Sequence, residues 1–488
     1  MNREAVPDES FESDGATASF PAETTGRSAP PATTMRVAHT PGRAQRLSRD
    51  LRLILADGFS FSVMVGVGET YLPAFILAIG LKEVATGPVL QEIASGLVTT
   101  IPLLVGALLQ LISPAAIRLL RSHRRWVVIC ALCQAVAFLP LAVGALVGTM
   151  PLAAAFAVAA LYWGAGLGTG PAWNTWVSTI IPGQLRARYF ARRTRLAQIG
   201  TMLGFIGGGF ALRAVAKEQV LLIFAGLFFT AFVCRSISAI CLASQSEPVP
   251  PSGDHRRVSF VEFVRRFRGH NGGRLLSYVL AVQSAAMIGG PYFTPYMLKK
   301  LGFPYFDWVL LIGLSFGMKA IALPACGQLA HRLGAHRLLW LGGVGIVPVA
   351  AMWLVSSNFY YLLFVQMVAG VTWAAYELAM FLLFFETIPS EERTSVLTSY
   401  NLANALATVA GSLLGAGILL TFGNSPTTYL SLFLLSSIGR LATLSLLARV
   451  PSMTLEPRPL ATRTLGVRAA DGSLDQPILS SLDDEAAK

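Results

Sequence analysis

The stretch Gly327-Gln-Leu-Ala-His331-Arg332-Leu-Gly334-Ala-His336-Arg337 lies between two long apolar runs. Between two earlier apolar runs lies Pro114-Ala-Ala-Ile-Arg118-Leu-Leu-Arg121-Ser-His123-Arg124, and the two align without a gap. Two more echoes flank them. Thr179-Ile-Ile-Pro182 with Arg186 returns as Thr387-Ile388-Pro389 with Arg393, at the same Pro-to-Arg distance. Gly68-Glu69-Thr-Tyr-Leu-Pro73 matches Gly290-Pro291-Tyr-Phe-Thr-Pro295. Three echoes at nearly constant offset indicate a duplicated chain whose halves share one architecture.

Composition says what solvent those halves face. Charged residues make up 13% of the chain and hydrophobic residues 54%, with a mean hydropathy of +0.59, whereas soluble domains carry roughly a quarter charged residues. Apolar stretches long enough to cross a bilayer recur from about Leu51 to Val450. The reading is an all-α integral membrane protein with twelve spans, near 57–80, 92–115, 126–148, 151–181, 195–216, 219–243, 275–298, 306–329, 337–356, 359–385, 396–421 and 428–449. The expected organisation is a disordered tail over 1–50, a six-helix bundle over 51–243, a central loop over 244–274, a second six-helix bundle over 275–450, and a disordered tail over 451–488. In the central loop Val258, Phe260, Val261, Phe263, Val264 and Phe267 interleave with Arg265, Arg266 and Arg268, the pattern of a helix lying on the membrane surface or of a linker helix docked on the base of the bundle.

The net charge of +12 belongs to orientation rather than to nucleic acid, because the arginines fall in short loops and not on one long face. With the N-terminus inside, one side holds Arg43, Arg46, Arg49 and Arg52, then Arg118, Arg121, Arg124 and Arg125, then Arg186, Arg188, Arg192, Arg193 and Arg195. The central loop adds six more, and Arg332, Arg337 and Arg393 follow. The other side holds Lys82, Arg213, Lys217, Lys299 and Lys300. Both termini are therefore expected in the cytoplasm. The preference for Arg over Lys suggests a GC-rich bacterial genome, hence a bacterial cytoplasmic membrane.

The segment from Gly327 to Arg337 resembles the loop signature of the major facilitator superfamily, G-x-x-x-D-R-x-G-x-x-R, found after the second and eighth spans. Gly327, Arg332, Gly334 and Arg337 match, and His331 stands at the Asp position. In the first half Pro114, Arg118 and Arg121 replace Gly, Asp and Gly. The family latches helices of its two halves through that carboxylate, and this chain has none there. The resemblance implies two pseudo-symmetric six-helix bundles around a central cavity lined by the first, fourth, seventh and tenth helices. It also implies secondary active transport of a small-molecule substrate by alternating access, without a cofactor and as a monomer. No phosphate-binding G-x-x-x-x-G-K-[ST] motif is present, so ATP is not the driving force supplied by this chain.

An ionised side chain at a helix centre costs about 2.5–3.5 kcal/mol on insertion scales, so Glu69, Lys319 and Glu377 each need a reason. By the resemblance Glu69 and Glu377 face the cavity. They are expected to couple transport to protons, Glu377 first and Glu69 second, with Lys319 tuning them or displaced by substrate. The competing reading is a structural ion pair between Lys319 and one of the carboxylates. Arg235 and Arg440, nearer the helix ends, are expected to snorkel to the interface. Tyr71, Trp173, Asn174, Trp176, Trp373 and Tyr376 are candidates for the cavity wall, Trp373 lying one turn before Glu377. Gly164, Gly166, Gly168 and Gly170, and Gly204, Gly207, Gly208 and Gly209, read as close helix packing.

Enzymatic chemistry is disfavoured, because the six His lie in tails or loops and no nucleophile accompanies a base. The cysteines, Cys130, Cys133, Cys234, Cys241 and Cys326, sit in apolar segments without a neighbouring His, so no metal site is expected. The alternative outside transport is a receptor, or an assembly factor for another membrane complex, that has kept the fold and lost the cycle.

Overall fold

The computed structural model describes residues 41–81, 87–181, 183–248, 271–387 and 393–450. Most of the two expected tails and the expected surface helix of the central loop lie outside them. The bundle lies within Gln45–Lys488.

Helices dominate. The first half runs α1 (Pro41–Val67), α2 (Leu72–Ala78), α3 (Pro88–Leu97), α4 (Ile101–Gln110), α5 (Ser113–Leu120), α6 (His123–Val147), α7 (Leu152–Ile180), α8 (Gly183–Arg213) and α9 (Val220–Ala243). The second runs α10 (Asn271–Gly289), α11 (Phe293–Pro295), α12 (Tyr305–Leu333), α13 (Ala335–Gly345), α14 (Val347–Ala351), α15 (Phe359–Thr387), α16 (Arg393–Phe422) and α17 (Pro426–Leu447). A two-residue parallel pairing of β1 (Gly80–Leu81) with β2 (Thr149–Met150) ties two loops of the first half. Among the described residues 10 helical stretches are long and apolar enough to cross a membrane. Twelve were expected. The two expected spans outside the ten are that of α8, which opens with a run of arginines, and that of α10, which breaks after Gly289.

That break is a designed interruption, and it occurs twice. After Gly68 the first span tightens into a single turn, Glu69–Tyr71, before α2, whose early Pro73 has no N–H to continue the ladder. After Gly289 the seventh does the same over Gly290–Tyr292. The turns superpose Tyr71 on Tyr292, one residue away from the pairing that the Pro-to-Pro alignment suggests. Their chemistry agrees. The Tyr71 hydroxyl donates to Phe205 O at 2.5 Å on α8, and the Tyr292 hydroxyl to Ser412 O at 2.6 Å on α16. The second-half counterpart of Glu69 is thus Gly290.

The same helix pairs cross backbone to backbone. A Cβ on Gly66 of α1 would fall 2.3 Å from Thr201 O of α8, and one on Gly411 of α16 would fall 2.1 Å from Ser284 O of α10. The glycines of α7 admit side chains instead: Gly164 faces that of Leu109 and Gly166 that of Gln134. Small residues permit this approach, which is how helices associate where lipid removes the hydrophobic drive.

The signature loops also repeat, with one substitution under strain. Gly334, between α12 and α13, has φ +86°, and its counterpart Arg121, after α5, has φ 50°. A left-handed conformation costs a residue with a Cβ roughly 1–2 kcal/mol. Arg121 is exposed, so Arg121→Gly is expected to stabilise the protein by about 1 kcal/mol. Unfolding in mixed detergent micelles measures it; a loss of stability would mean that the Arg121 side chain itself holds the turn. His331, Arg332 and Arg337 are exposed, as is Arg118. Among the described residues none of them forms an ion pair.

At the end where the chain enters, just ahead of Asp50, and leaves, near Val450, each half holds itself. Asp50 accepts from Ser246 N at 3.1 Å, so α1 is ordered well before residue 51. Glu247 accepts from Ser122 Oγ at 2.5 Å and from His123 N at 2.7 Å, placing a carboxylate on the N-terminus of α6. In the second half the His336 ring lies 3.0 Å from Val450 O. The cores at this tail end are separate. One draws on Ile54, Val127, Trp176 and Phe190, all of the first half. The other draws on Tyr278, Leu338, Tyr376 and Leu447, all of the second.

At the far end one core spans both halves, including Phe75, Phe205, Phe224, Tyr292, Trp308 and Phe433. Aromatic pairs stitch it: Tyr71 to Trp308 at 5.6 Å between centroids, Phe224 to Tyr305 at 5.8 Å, Phe210 to Phe306 at 4.9 Å. Such pairs add roughly 0.5–1.5 kcal/mol each beyond area burial.

Candidate functional site

Lys319 on α12 and Glu377 on α15 form an ion pair in the second half. Both are buried, each 5% exposed. Gly370 brings the helices together, since a Cβ there would meet Ser315 O at 2.4 Å and Lys319 N at 3.0 Å. Desolvating two charges costs several kcal/mol per ion, which only close pairing offsets.

Aromatic residues surround the pair. Trp373 and Tyr376 stack edge to face at 5.6 Å, and Tyr376 meets Tyr278 of α10 at 6.2 Å. Tyr400 of α16 donates to Met380 Sδ at 3.8 Å. Among the described residues the buried hydroxyls of Tyr278 and Tyr376 have no hydrogen-bond partner. A pair of idle donors beside an ion pair is what an oxygen-bearing solute can use.

Glu69 sits elsewhere, in the tight turn of the first half, 2% exposed. Its Oε2 accepts from the Tyr162 hydroxyl of α7 at 2.5 Å. Gly68 makes the turn possible: a Cβ there would fall 2.5 Å from the Phe138 ring. Lys319 therefore pairs with Glu377 and not with Glu69.

The other sequence candidates separate. Trp373 and Tyr376 stand beside Glu377. Tyr71 is fully buried in the far-end core. Trp173 belongs to the tail-end core of the first half, where Arg193 lies 4.2 Å over its ring. Trp176 donates to Ser246 O at 2.9 Å, and Asn174 is half-buried between them.

A second charged group went unread in the sequence because Asp57 falls at the expected edge of the first span. Asp57 Oδ2 lies 3.7 Å from Arg193 of α8. Its Oδ1 accepts from Ser238 at 2.6 Å, and Ser238 accepts from Arg235 at 2.6 Å. Arg235 and Arg440 are 2% and 4% exposed, so neither snorkels. Arg440 instead donates at 2.9 Å to Ile346 O, at the break between α13 and α14. Serine at 238, one turn after Arg235 on an apolar helix, was the available signal. Among the described residues no group of three His, Cys, Asp or Glu is placed to hold a metal.

Comparison with known proteins places the fold. The sequence matches the family described as Major Facilitator Superfamily over residues 59–412. No curated protein matches it. Among solved structures, a D-xylose–proton symporter is similar with a TM-score of 0.63 at 13% identity, covering 83% of this chain and 98% of its own. The fucose:proton symporter FucP of E. coli gives 0.53 at 12%, covering 84% and 100%. The nucleoside transporter NupG gives 0.56 at 14%, covering 83% and 99%. With its repeated halves, its bundle of membrane helices and a family match over most of its length, the chain belongs to the Major Facilitator Superfamily and is a membrane transporter rather than an enzyme.

Proposed function

We propose that the protein carries a small organic solute across a bacterial cytoplasmic membrane by alternating access, coupled to protons. One observation carries this reading: the halves share a large core at the far end and a small one of Ala107, Leu167, Leu402 and Ala405, and keep separate cores at the tail end. Two bundles joined at one end are one state of a rocking pair. The concentration of arginine at the tail end supports a cytoplasmic face there, and on that reading this is the inward-facing state of a twelve-span monomer with both termini inside.

Glu377 is the leading proton carrier, since protonation would free Lys319 from it, and Glu69 is the second. Trp373, Tyr376 and Tyr278 are the wall a solute meets. The sugars and nucleoside in the names of the similar structures fit a hydroxyl-bearing solute.

The test compares metabolites inside and outside cells that express the protein, lack it, or carry Glu377→Gln. A solute whose distribution shifts with the intact protein and not with Glu377→Gln is the expected result. The exposed Arg118, His331, Arg332 and Arg337 of the signature loops, with no ion pair among the described residues, favour one other reading, a receptor or assembly factor that no longer cycles. A folded protein that shifts no solute, yet co-purifies with a partner complex, would replace the transport reading with that one.

A further inference from the structure

Glu92 of α3 is 3% exposed and belongs to the first half, yet the groups that bind its carboxylate come from the second. Lys300 Nζ donates to Oε1 at 2.8 Å and Asn424 Nδ2 donates to the same oxygen at 3.1 Å. The Tyr429 hydroxyl donates to Oε2 at 2.6 Å. They arrive from three places: the turn before α12, the α16–α17 turn, and the first turn of α17. The Lys300 ammonium also lies 5.8 Å from the Tyr429 ring centre.

The surroundings hold this carboxylate still. Gln91 donates to Ile76 O and Ile79 O, both at 2.9 Å, and Ser95 donates to Pro73 O at 2.8 Å, fixing α3 to α2. Tyr292 packs against Gly96, where a Cβ would fall 2.7 Å from its ring. Tyr296 contacts Tyr429 at 5.6 Å. From α16, Ser412 donates to Thr100 at 3.0 Å. Among the described residues the titratable groups facing Glu92 are therefore Lys300, Tyr429, Tyr292 and Tyr296, and Lys300 pairs there with no other carboxylate.

Every partner of Glu92 is a donor. An ionised carboxylate offers only acceptors and satisfies all three, whereas a protonated one carries a donor of its own. Protonation would set that donor against another and leave the half-buried Lys300 without its counter-charge. The seal fits one protonation state.

We propose that Glu92 is the residue through which protons from the far side open the outer seal. Binding a proton there releases α3 from Lys300, Asn424 and Tyr429, and the bundles part at that end. This rests on the alternating-access reading above, and it gives the coupling an entry point separate from Glu377.

Paired spin labels in lipid nanodiscs test it, with the five native cysteines replaced. One pair, at Leu146 and Tyr360, reports the far end; another, at Leu119 and Leu333, reports the tail end. All four side chains are exposed. Lowering pH from about 8 to about 4, a window that passes through the ordinary carboxylate range, is expected to lengthen the far-end distance and shorten the tail-end distance. Glu92→Gln is expected to show the long far-end distance at both pH values. Tyr429→Phe, which removes one hydrogen bond and no charge, is expected to raise the far-open population by about tenfold at about pH 8 and to remain pH-responsive. Glu92→Gln that switches with pH as the parent does overturns the proposal and leaves alternating access standing. If Glu92→Gln does not fold, Tyr429→Phe with unchanged populations overturns it instead. Distances that never change reciprocally, in any variant or at any pH, overturn both.

Discussion

Lys319→Met alone is expected to lower stability by about 3–5 kcal/mol and abolish transport, while Lys319→Met with Glu377→Leu restores most of the stability and none of the transport. The single change leaves the Glu377 carboxylate buried without its cation, the most costly way to disturb such a pair. The double change removes both charges and fills the space with apolar atoms, which is often neutral for stability. Unfolding in mixed micelles gives the first quantity, and uptake into proteoliposomes of the solute found by the metabolite comparison gives the second. A double variant that still transports would reduce the pair to a structural tie between α12 and α15. The variant that separates the outcomes is the double one, because any reading predicts harm from the single change.

Gly411→Ala and Gly417→Ala are expected to move stability in opposite directions on one helix. At Gly411 the added carbon would sit 2.1 Å from Ser284 O, a backbone atom that has no rotamer to escape into. Parting α10 from α16 is the only relief, and overpacking of this kind costs about 3 kcal/mol or more. At Gly417 nothing lies within 4 Å, so alanine adds helix propensity without a clash and is worth about 0.5–1 kcal/mol. The same unfolding measurement reads both. Equal and small effects would mean that α10 and α16 have room to move apart, and that the crossing is looser than its geometry.

How much of this was legible in the sequence differs by feature. Apolar runs mark spans because lipid demands them, so most helices fall near their expected positions. The duplication was legible from Pro114–Arg124 against Gly327–Arg337. Its register around Tyr71 was not, since Pro295 draws an alignment toward Pro73 while the backbone turn follows Gly68 and Gly289. Lys319 and Glu377 were visible as charges that need a reason, and one candidate reason was the pair they form. Which carboxylate meets Lys319 depends on how α12 lies on α15, a packing fact set by Gly370 and absent from any local pattern. Glu92 and Asp57 escaped attention because each lies at the edge of an expected span, where a charge looks solvated. Only contacts from residues hundreds of positions away show that both are buried.

The matched ties of Tyr71 and Tyr292 also bear on descent. Two copies of a gene drift apart wherever drift is tolerated, and these copies retain the same hydroxyl-to-carbonyl bond and the same bare-backbone crossings. They have diverged at Glu69 and Gly290, and at Arg121 and Gly334. Laboratory evolution toward a new cargo should follow the same division, accumulating changes at the unshared positions and losing any lineage that alters the shared ones.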